Sequence, residues 1–210
     1  MLLAAVALIP GNALDMHQLQ STFRALGGNQ STFNEWNVLM QTPVDATIET
    51  RLHKVNDFFN RKLIYFEDQE IWGAQDYWAS PMESLSKAKA DCEDYVIAKY
   101  FALRNMNVPD HQLRLIYVKA RIGEPNSKIQ QAHMVLAYYP SGNAEPLVLD
   151  NLVSDIRPAS KRPDLFPIFS FNSQGVFTGT AATAVLGAGG TSKLSRWQDL
   201  LERARREGFD

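Results

Sequence analysis

The sequence has very little cysteine and no excess of charge of either sign. Cys92 is the single cysteine among 210 residues, so the chain can form neither an intramolecular disulfide nor a metal site with several cysteine ligands. Lys and Arg number 21 against 23 Asp and Glu, which gives a net charge of −2. A chain without a basic excess is poorly suited to neutralise a phosphate backbone, so we expect no nucleic-acid partner.

Long hydrophobic runs are also scarce. The apolar run at residues 1–9 ends at Pro10, whereas a membrane-spanning helix needs about 20 apolar residues. The run has the length of a signal-peptide core, and Gly11-Asn12-Ala13 has the small-x-small form of a cleavage site. We therefore expect residues 1–14 to be a signal remnant of an exported protein, with a buried strand or helix as the alternative. Export favours a functional role for a lone thiol.

The spacing of apolar residues predicts helices in the first half of the chain and strands after Pro109. The first predicted helical region is 15–42, which is interrupted at Gly27-Gly28. The other predicted helices are 46–62, which Asp45 caps, 82–88 and 92–105, and residues 64–75 are predicted to be an aromatic-rich loop. The predicted strands are 113–119, 132–139 and 146–150, the last two joined by a hairpin-length turn at 139–143. Helices followed by a meander indicate an α+β fold.

The final quarter of the chain has a different composition. Residues 155–176 contain three prolines and predict irregular coil, and residues 178–192 are rich in Gly, Ala and Thr and predict a mobile segment. Residues 192–209 predict an amphipathic helix with Trp197, Leu200 and Leu201 on its apolar side. We place the main domain at 15–176 and a flexible segment plus C-terminal helix at 177–210.

Cys92 follows Asp91, a residue suited to cap a helix, so the thiol is predicted to occupy the first helical position. The free N–H groups and the helix dipole at this end favour an anion and lower the pKa of a thiol. Such a thiol is a candidate nucleophile, and it needs a base from elsewhere in the chain.

His133 is the best candidate base among the four histidines, because it lies near the start of an apolar strand, where a polar residue needs a partner. Pairing through the 139–143 turn places residue 133 opposite about 149, next to Asp150. A carboxylate beside an imidazole fixes its tautomer. Cys92, His133 and Asp150 are therefore predicted to be a nucleophile, a base and an orienting acid. Each residue alone also has a purely structural interpretation: a small buried hydrophobe, a satisfied core histidine and the start of a turn.

Four segments together resemble the bacterial transglutaminase-like cysteine peptidases, the LapG-type periplasmic proteases. These segments are Asp76-Tyr77-Trp78-Ala79-Ser80-Pro81-Met82-Glu83, Asp91-Cys92-Glu93-Asp94-Tyr95, His133-Met134-Val135-Leu136 and Leu149-Asp150-Asn151. The resemblance covers about Val55 to Asn151, close to half the chain. Just before the cysteine block the family has glycine, where this chain has Lys87-Ala88-Lys89-Ala90.

The resemblance implies a papain-like, transglutaminase-like fold, with N-terminal helices and the nucleophile at a helix N-terminus packed on an antiparallel sheet. It implies the roles of Cys92, His133 and Asp150 given above. The implied activity is calcium-dependent cleavage, in the periplasm, of a large cell-surface adhesin near its N-terminus at a di-alanine site, which releases cells from a biofilm. The implied regulator is the periplasmic domain of an inner-membrane receptor for cyclic di-GMP, which sequesters the protease.

The acidic residues around Cys92 admit two interpretations. Asp91, Glu93 and Asp94 are all suited to a helix N-terminus, with Asp94 at the capping-box position. Three negative charges beside a thiolate nevertheless raise its pKa, and a hard cation with oxygen ligands would remove this conflict. The resemblance implies that this cation is calcium, with the same three residues as candidate ligands.

The oxyanion hole is only partly predicted. The backbone N–H of Cys92 is one candidate donor, and the indole N–H of Trp78 is the other, against the alternative that Trp78 is a packed core aromatic. Papain-like enzymes place a glutamine six residues before the cysteine, where this chain has Ser86. The segment Thr180-Ala181-Ala182-Thr183 resembles the di-alanine substrate and is a candidate intramolecular competitor, although a plain linker explains it as well.

Two other functions fit the same residues. A transglutaminase or amidase of the same fold would use the same triad to transfer the acyl group to an amine. A non-catalytic, calcium-dependent binding module would not need Cys92.

Overall fold

The computed structural model describes residues 14–43, 45–124, 126–141, 144–178 and 191–209. The predicted signal remnant, apart from Leu14, and the segment Thr180-Ala181-Ala182-Thr183 lie outside these residues, as does most of the segment predicted to be mobile. The domain limits given above remain a prediction. Within the described residues, no helix is both long enough and apolar enough to span a bilayer.

Seven α-helices are described, and most of them precede the main sheet. They are α1 (Met16–Ala25), α2 (Gln30–Met40), α3 (Ile48–Lys62), α4 (Asp68–Ile71), α5 (Pro81–Lys87), α6 (Cys92–Asn105) and α7 (Thr191–Glu207). The helical regions predicted from the sequence are confirmed, and α4 is an addition within the predicted loop. The cap of α3 is Thr47, whose side chain accepts the N–H of Thr50 at 3.2 Å, and not the predicted Asp45.

The break between α1 and α2 is built on two glycines. Gly27 has a φ of +80°, a conformation that side chains with a Cβ rarely adopt. A Cβ on Gly28 would lie 2.3 Å from the ring of Phe23, which is buried. The glycines thus allow the chain to reverse closely over the first helix.

Eight strands form two sheets in the described chain. They are β1 (Ile64–Tyr65), β2 (Lys89–Ala90), β3 (Leu113–Arg121), β4 (Gln130–Tyr138), β5 (Leu147–Leu149), β6 (Arg157–Pro158), β7 (Leu165–Asn172) and β8 (Gly175–Thr178). β1 and β2 pair in parallel, and the other six form an antiparallel sheet in the order β6-β5-β4-β3-β7-β8. The predicted strands and the α+β class are confirmed.

The prediction of irregular coil over residues 155–176 is wrong, because most of this segment belongs to the sheet. β7 pairs with β3, and the register shifts where Pro167 lies opposite Val118. A bulge is the position at which a strand tolerates a residue without an N–H. The prolines therefore did not exclude a strand, because β7 accommodates Pro167 at a shift in its pairing with β3.

The main core lies between this sheet and the helices. α6 is buried along almost its whole length and packs against β4, and α3 packs against α6. The C-terminal helix α7 joins the same core through Trp197, whose ring lies edge-on to Phe171 at 5.5 Å and to Tyr100 at 5.4 Å. The amphipathic helix predicted near the C-terminus is confirmed.

Candidate active site

The start of α6 faces the early part of β4 across a cavity of about 530 Å³. Cys92, at the first position of α6, and His133, on β4, both line this cavity. The remaining wall is largely polar and includes Asp68, Asp91 and Glu93. The nucleophile and base predicted from the sequence are therefore brought to one cavity.

The thiol of Cys92 has acidic neighbours on both sides. Asp91 caps the helix as predicted, with Oδ1 accepting the N–H of Asp94 at 3.2 Å. The thiol donates to Oε2 of Glu93 at 2.7 Å. Burial, followed by the charges of Glu93 and Asp91, raises the pKa of Cys92 well above its ordinary value. The lowering expected from the helix N-terminus is thus outweighed, and the thiol is held in its protonated form.

His133 and Asp150 form a buried pair. Nε2 of His133 lies 2.7 Å from Oδ1 of Asp150, and the two residues are 3 % and 1 % exposed. Burial alone would raise the pKa of Asp150, but the hydrogen bond and charge of His133, with further donors, lower it to about 2. The carboxylate is therefore ionised and accepts the proton on Nε2, which leaves Nδ1 as the ring nitrogen able to exchange a proton.

The pairing of β4 with β5 differs from the prediction by three residues. Leu149 pairs with Leu136 and not with residue 133. The predicted proximity of His133 and Asp150 survives this shift because Asp150 lies just beyond the end of β5, where its side chain is not constrained by the ladder.

The second oxygen of Asp150 binds a residue that the sequence analysis missed. Oδ2 accepts Nη2 of Arg162 at 2.7 Å. Arg162 lies in the segment that was predicted to be coil, and the pairings of β6 with β5 and of β7 with β3 bring this segment back to the site. No periodicity or motif in the sequence singles it out.

Three buried carboxylates form a cluster beside Cys92. Asp68, Asp91 and Asp94 each present an oxygen within 4.8 Å of the others. Oδ1 of Asp94 accepts the N–H of Ala79 at 2.7 Å, and Oδ2 of Asp68 accepts the N–H of Tyr77 at 2.5 Å. Asp94 is thus not used in a capping box, and it ties the segment before α5 to the start of α6.

The carboxylate cluster suits a hard divalent cation. Oδ1 of Asp68 and Oδ2 of Asp94 are buried without a hydrogen-bond partner among the described residues. Burial and the neighbouring carboxylates raise the pKa of Asp91, and burial is the main cause that raises the pKa of Asp68 and Asp94. Converging carboxylate oxygens with unused lone pairs are the donor set that calcium-type cations prefer.

The membership of this cluster differs from the predicted ligand set. Glu93 lies apart from it, because its two oxygens face the thiol of Cys92 and the hydroxyl of Tyr117 at 3.4 Å. Asp68 takes its place, although it lies 23 positions before Asp91 in the predicted loop. Only the fold could reveal Asp68, since a single carboxylate in a polar segment carries no pattern.

Trp78 is a core aromatic, and its proposed role as an oxyanion donor is not supported. The residue is 2 % exposed and its ring stacks on Phe171 at 5.6 Å. Its indole N–H donates to Oδ1 of Asp76 at 3.1 Å. Arg203 of α7 donates to the carbonyl of Trp78 at 2.6 Å, so this segment is held in place from the C-terminal helix.

A cysteine at a helix N-terminus facing a histidine–aspartate pair on an antiparallel sheet defines a papain-like, transglutaminase-like cysteine hydrolase. The family described as bacterial transglutaminase-like cysteine proteinase (BTLCP) matches residues 32–166, which is more than half of the chain. The chain belongs to this family.

Solved structures of LapG from Legionella pneumophila are similar over almost their whole length. The calcium-bound form has 37% identity and a TM-score of 0.74, covering 90% of this chain and 98% of that chain. The EGTA-treated form has 36% identity and a TM-score of 0.76, covering 92% and 99%. A further LapG structure has 36% identity and a TM-score of 0.71, with the same coverage as the EGTA-treated form. Comparison with curated protein sequences gave no significant match.

Proposed function

We propose that this protein is a cysteine endopeptidase in which Cys92 is the nucleophile, His133 the base and Asp150 the residue that orients His133. The observation that carries the proposal is the 2.7 Å bond between buried His133 and Asp150 on the wall of the cavity that Cys92 lines. A buried histidine paired with an ionised carboxylate next to a helix-terminal thiol is the arrangement that activates a thiol for acyl transfer.

In the proposed reaction, Cys92 passes its proton to Nδ1 of His133 and its sulfur attacks the scissile carbonyl carbon. The C–N bond breaks as His133 returns the proton to the leaving amine, and an acyl-enzyme remains. His133 then takes a proton from water, the hydroxide attacks the thioester, and the C–S bond breaks as His133 returns the proton to the sulfur, which releases the acid and restores the thiol. The backbone N–H of Cys92, at the start of α6, is the proposed donor to the carbonyl oxygen.

We propose that the activity depends on calcium held by Asp68, Asp91 and Asp94. Their convergence within 4.8 Å supports this ligand set, and the calcium-bound form of the similar LapG supports calcium as the ion. When bound, the cation would offset the negative charge that surrounds the thiol. Glu93 accepts the hydrogen bond of the thiol, and this bond must break before Cys92 passes its proton to His133.

The proposed substrate is a large cell-surface adhesin, cleaved in the periplasm near its N-terminus at a di-alanine site, with release of cells from a biofilm. The proposed regulator is the periplasmic domain of an inner-membrane cyclic di-GMP receptor. Membership of the proteinase family supports a protein substrate. The motif resemblance described above supports the identity of substrate and regulator.

The test is incubation of the full chain with an N-terminal adhesin fragment, with calcium and with EGTA. We expect one cut at the di-alanine site with calcium, and no cut with EGTA or with Cys92→Ala or His133→Ala. Ala-Ala→Asp-Asp in the fragment is the matched substrate control. Cleavage by Cys92→Ala, verified as folded by circular dichroism, would rule out the proposed nucleophile. Product masses with added amine separate hydrolysis from amine transfer.

A further inference from the structure

The carboxylate of Asp150 has a separate partner for each oxygen. Oδ1 meets Nε2 of His133 at 2.7 Å and the N–H of Leu152 at 3.0 Å, whereas Oδ2 meets Nη2 of Arg162 at 2.7 Å. Arg162 is 3 % exposed, so this second contact is as buried as the first. The buried chain of polar groups thus continues beyond Asp150.

Arg162 is itself held on the far side by Asp164. Its Nε donates to Oδ1 and Oδ2 of Asp164 at 3.0 and 3.2 Å, and its Nη2 donates to Oδ2 of Asp164 at 2.7 Å. The backbone is fixed as well, since Arg162 N–H donates to Ala159 and the carbonyl of Asp164 accepts from Arg121 on β3. The guanidinium therefore has a defined position and does not depend on Asp150 alone.

We propose that Arg162 is a positioning residue for the triad, which holds Oδ2 of Asp150 so that Oδ1 faces His133. A carboxylate can rotate about its Cβ–Cγ bond, and a buried one without a second partner also carries an uncompensated charge. The planar guanidinium addresses both problems, because it binds one oxygen directionally and brings a permanent positive charge. This inference rests on the proposed triad.

Several charged groups surround Asp150 besides Arg162. His133 lies on β4 and Lys99 lies on α6. Burial lowers the pKa of Lys99 to about 7, although the charges of Asp150 and Asp57 act to raise it. Cys92 and Glu93 line the same cavity as His133. Lys99 has no hydrogen-bond partner among the described residues, so it contributes charge but no direction. Among the described residues, Arg162 is the one that supplies both a positive charge and a directional hydrogen bond to Oδ2 of Asp150.

The first readout of the test is the tautomer of His133, because a purely structural role would not change it. In the full-length Cys92→Ala background, ¹⁵N ring spectra should show His133 with its proton on Nε2. The signal of His133 is assigned by its disappearance in His133→Gln. We expect Arg162→Met to lose this single tautomer, Arg162→Lys to keep most of it, and Arg157→Met to keep all of it. Arg157 is the matched control, since it forms an exposed pair with Asp155 in the same segment.

The second readout is kinetic, with Cys92 present. Loss of an orienting partner behind a reactive residue typically costs about 10- to 100-fold. We expect this loss in kcat for Arg162→Met, with KM changed less than about twofold, and partial recovery in Arg162→Lys. Wild-type kcat and an unchanged tautomer in folded Arg162→Met would overturn the proposal.

If Arg162→Met does not fold, Asp164→Asn provides the test, because Asp164 is about a third exposed and only indirectly linked to the triad. We expect a smaller loss of kcat and a broadened Nε2–H signal, and no change in either would overturn the proposal. If the wild-type chain cuts no adhesin fragment, the proposed function fails, whereas the tautomer measurement still decides whether Arg162 orients Asp150.

Discussion

The two sides of the cavity handle buried charge in opposite ways. On the strand side each carboxylate has a hydrogen-bond donor, because Asp150 binds His133 and Arg162, and Arg162 also binds Asp164. On the helix side Asp68, Asp91 and Asp94 have the same sign and lie within 4.8 Å. The strand side is organised by the protein's own side chains, whereas the helix side would need a bound cation to offset its clustered carboxylates. We therefore expect calcium to control the half of the site that holds Cys92.

The largest expected effect is that of Asp150→Asn, which changes only the strand side of the cavity. Loss of the charge that fixes the imidazole tautomer should lower kcat by on the order of 10⁴-fold. It also removes one of the two carboxylates that pair with buried Arg162, which should lower the unfolding free energy by less than the roughly 3–5 kcal/mol of a fully unpaired buried charge, because Asp164 remains. Adhesin-fragment kinetics and urea unfolding measure the two effects. Asp155→Asn, at an exposed surface pair, is the control and should change neither.

Calcium-dependent stabilisation should survive Asp150→Asn if the two sides are independent. A loss of the calcium response in that variant would mean that the strand side also contributes to the cation site. Retention of near-normal activity would instead remove Asp150 from the triad.

The second prediction concerns the carboxylates on the helix side of the cavity. Calcium at 100 times its Kd should stabilise the wild-type chain by about 2.7 kcal/mol, and Asp68→Asn or Asp94→Asn should remove most of this gain. Without calcium both variants should be more stable than the wild type, because a repelling charge is gone. Thermal melting with calcium or EGTA measures both effects. Glu70→Gln, an exposed carboxylate on the same helix as Asp68, should respond like the wild type.

The two sides also differ in how far the sequence predicts them. Cys92 begins a helix, His133 lies on a strand and Asp150 follows a strand, and local patterns locate such elements well. The structure brings Cys92 and His133 to one cavity and pairs His133 with Asp150 despite a register error of three residues. Their catalytic roles remain a prediction. The α+β class was predictable for the same reason, since the period changes sharply after Pro109.

The residues that the sequence did not reveal support the site from distant segments. Asp68 and Arg162 lie in stretches without periodicity, and long-range packing alone brings them to the cavity. Glu93, which the acidic run around Cys92 also suggested as a ligand, lies outside the cluster of Asp68, Asp91 and Asp94, because residues adjacent in sequence at a helix start point in different directions. Local patterns thus located the reactive groups, while their supporting partners depend on tertiary structure.

A buried carboxylate that does not line the cavity separates the effect of burial from that of clustering. Glu207 of α7 accepts the hydroxyl of Ser80 at 2.5 Å, and burial, reinforced by Glu83, raises its pKa from 4.5 to about 7. Because the folded state binds this proton more tightly, the stabilisation is complete below pH 4.5 and is lost as the pH rises through about 7. Glu207→Gln should remove roughly 3 kcal/mol of this pH dependence.

Urea unfolding at several pH values measures this difference, and calcium should not alter it. The exposed Glu202 on the same helix is the matched control, so Glu202→Gln should follow the wild type at every pH. A pH dependence in Glu207→Gln equal to that of the wild type would assign the effect to other groups.

The smallest predicted effect concerns the turn that leads into the helix side of the site. Ala88 closes α5 with a φ of 53°, in the left-handed conformation that glycine adopts without strain. Ala88→Gly should therefore stabilise the fold by about 1 kcal/mol, less the extra entropy of the unfolded glycine. Ala90→Gly, at a buried β2 position, is the control and should destabilise. Equal destabilisation by both substitutions would show that the turn relaxes around Ala88. An unchanged calcium response in Ala88→Gly would show that the proposed cation site on α4 and α6 does not depend on this turn.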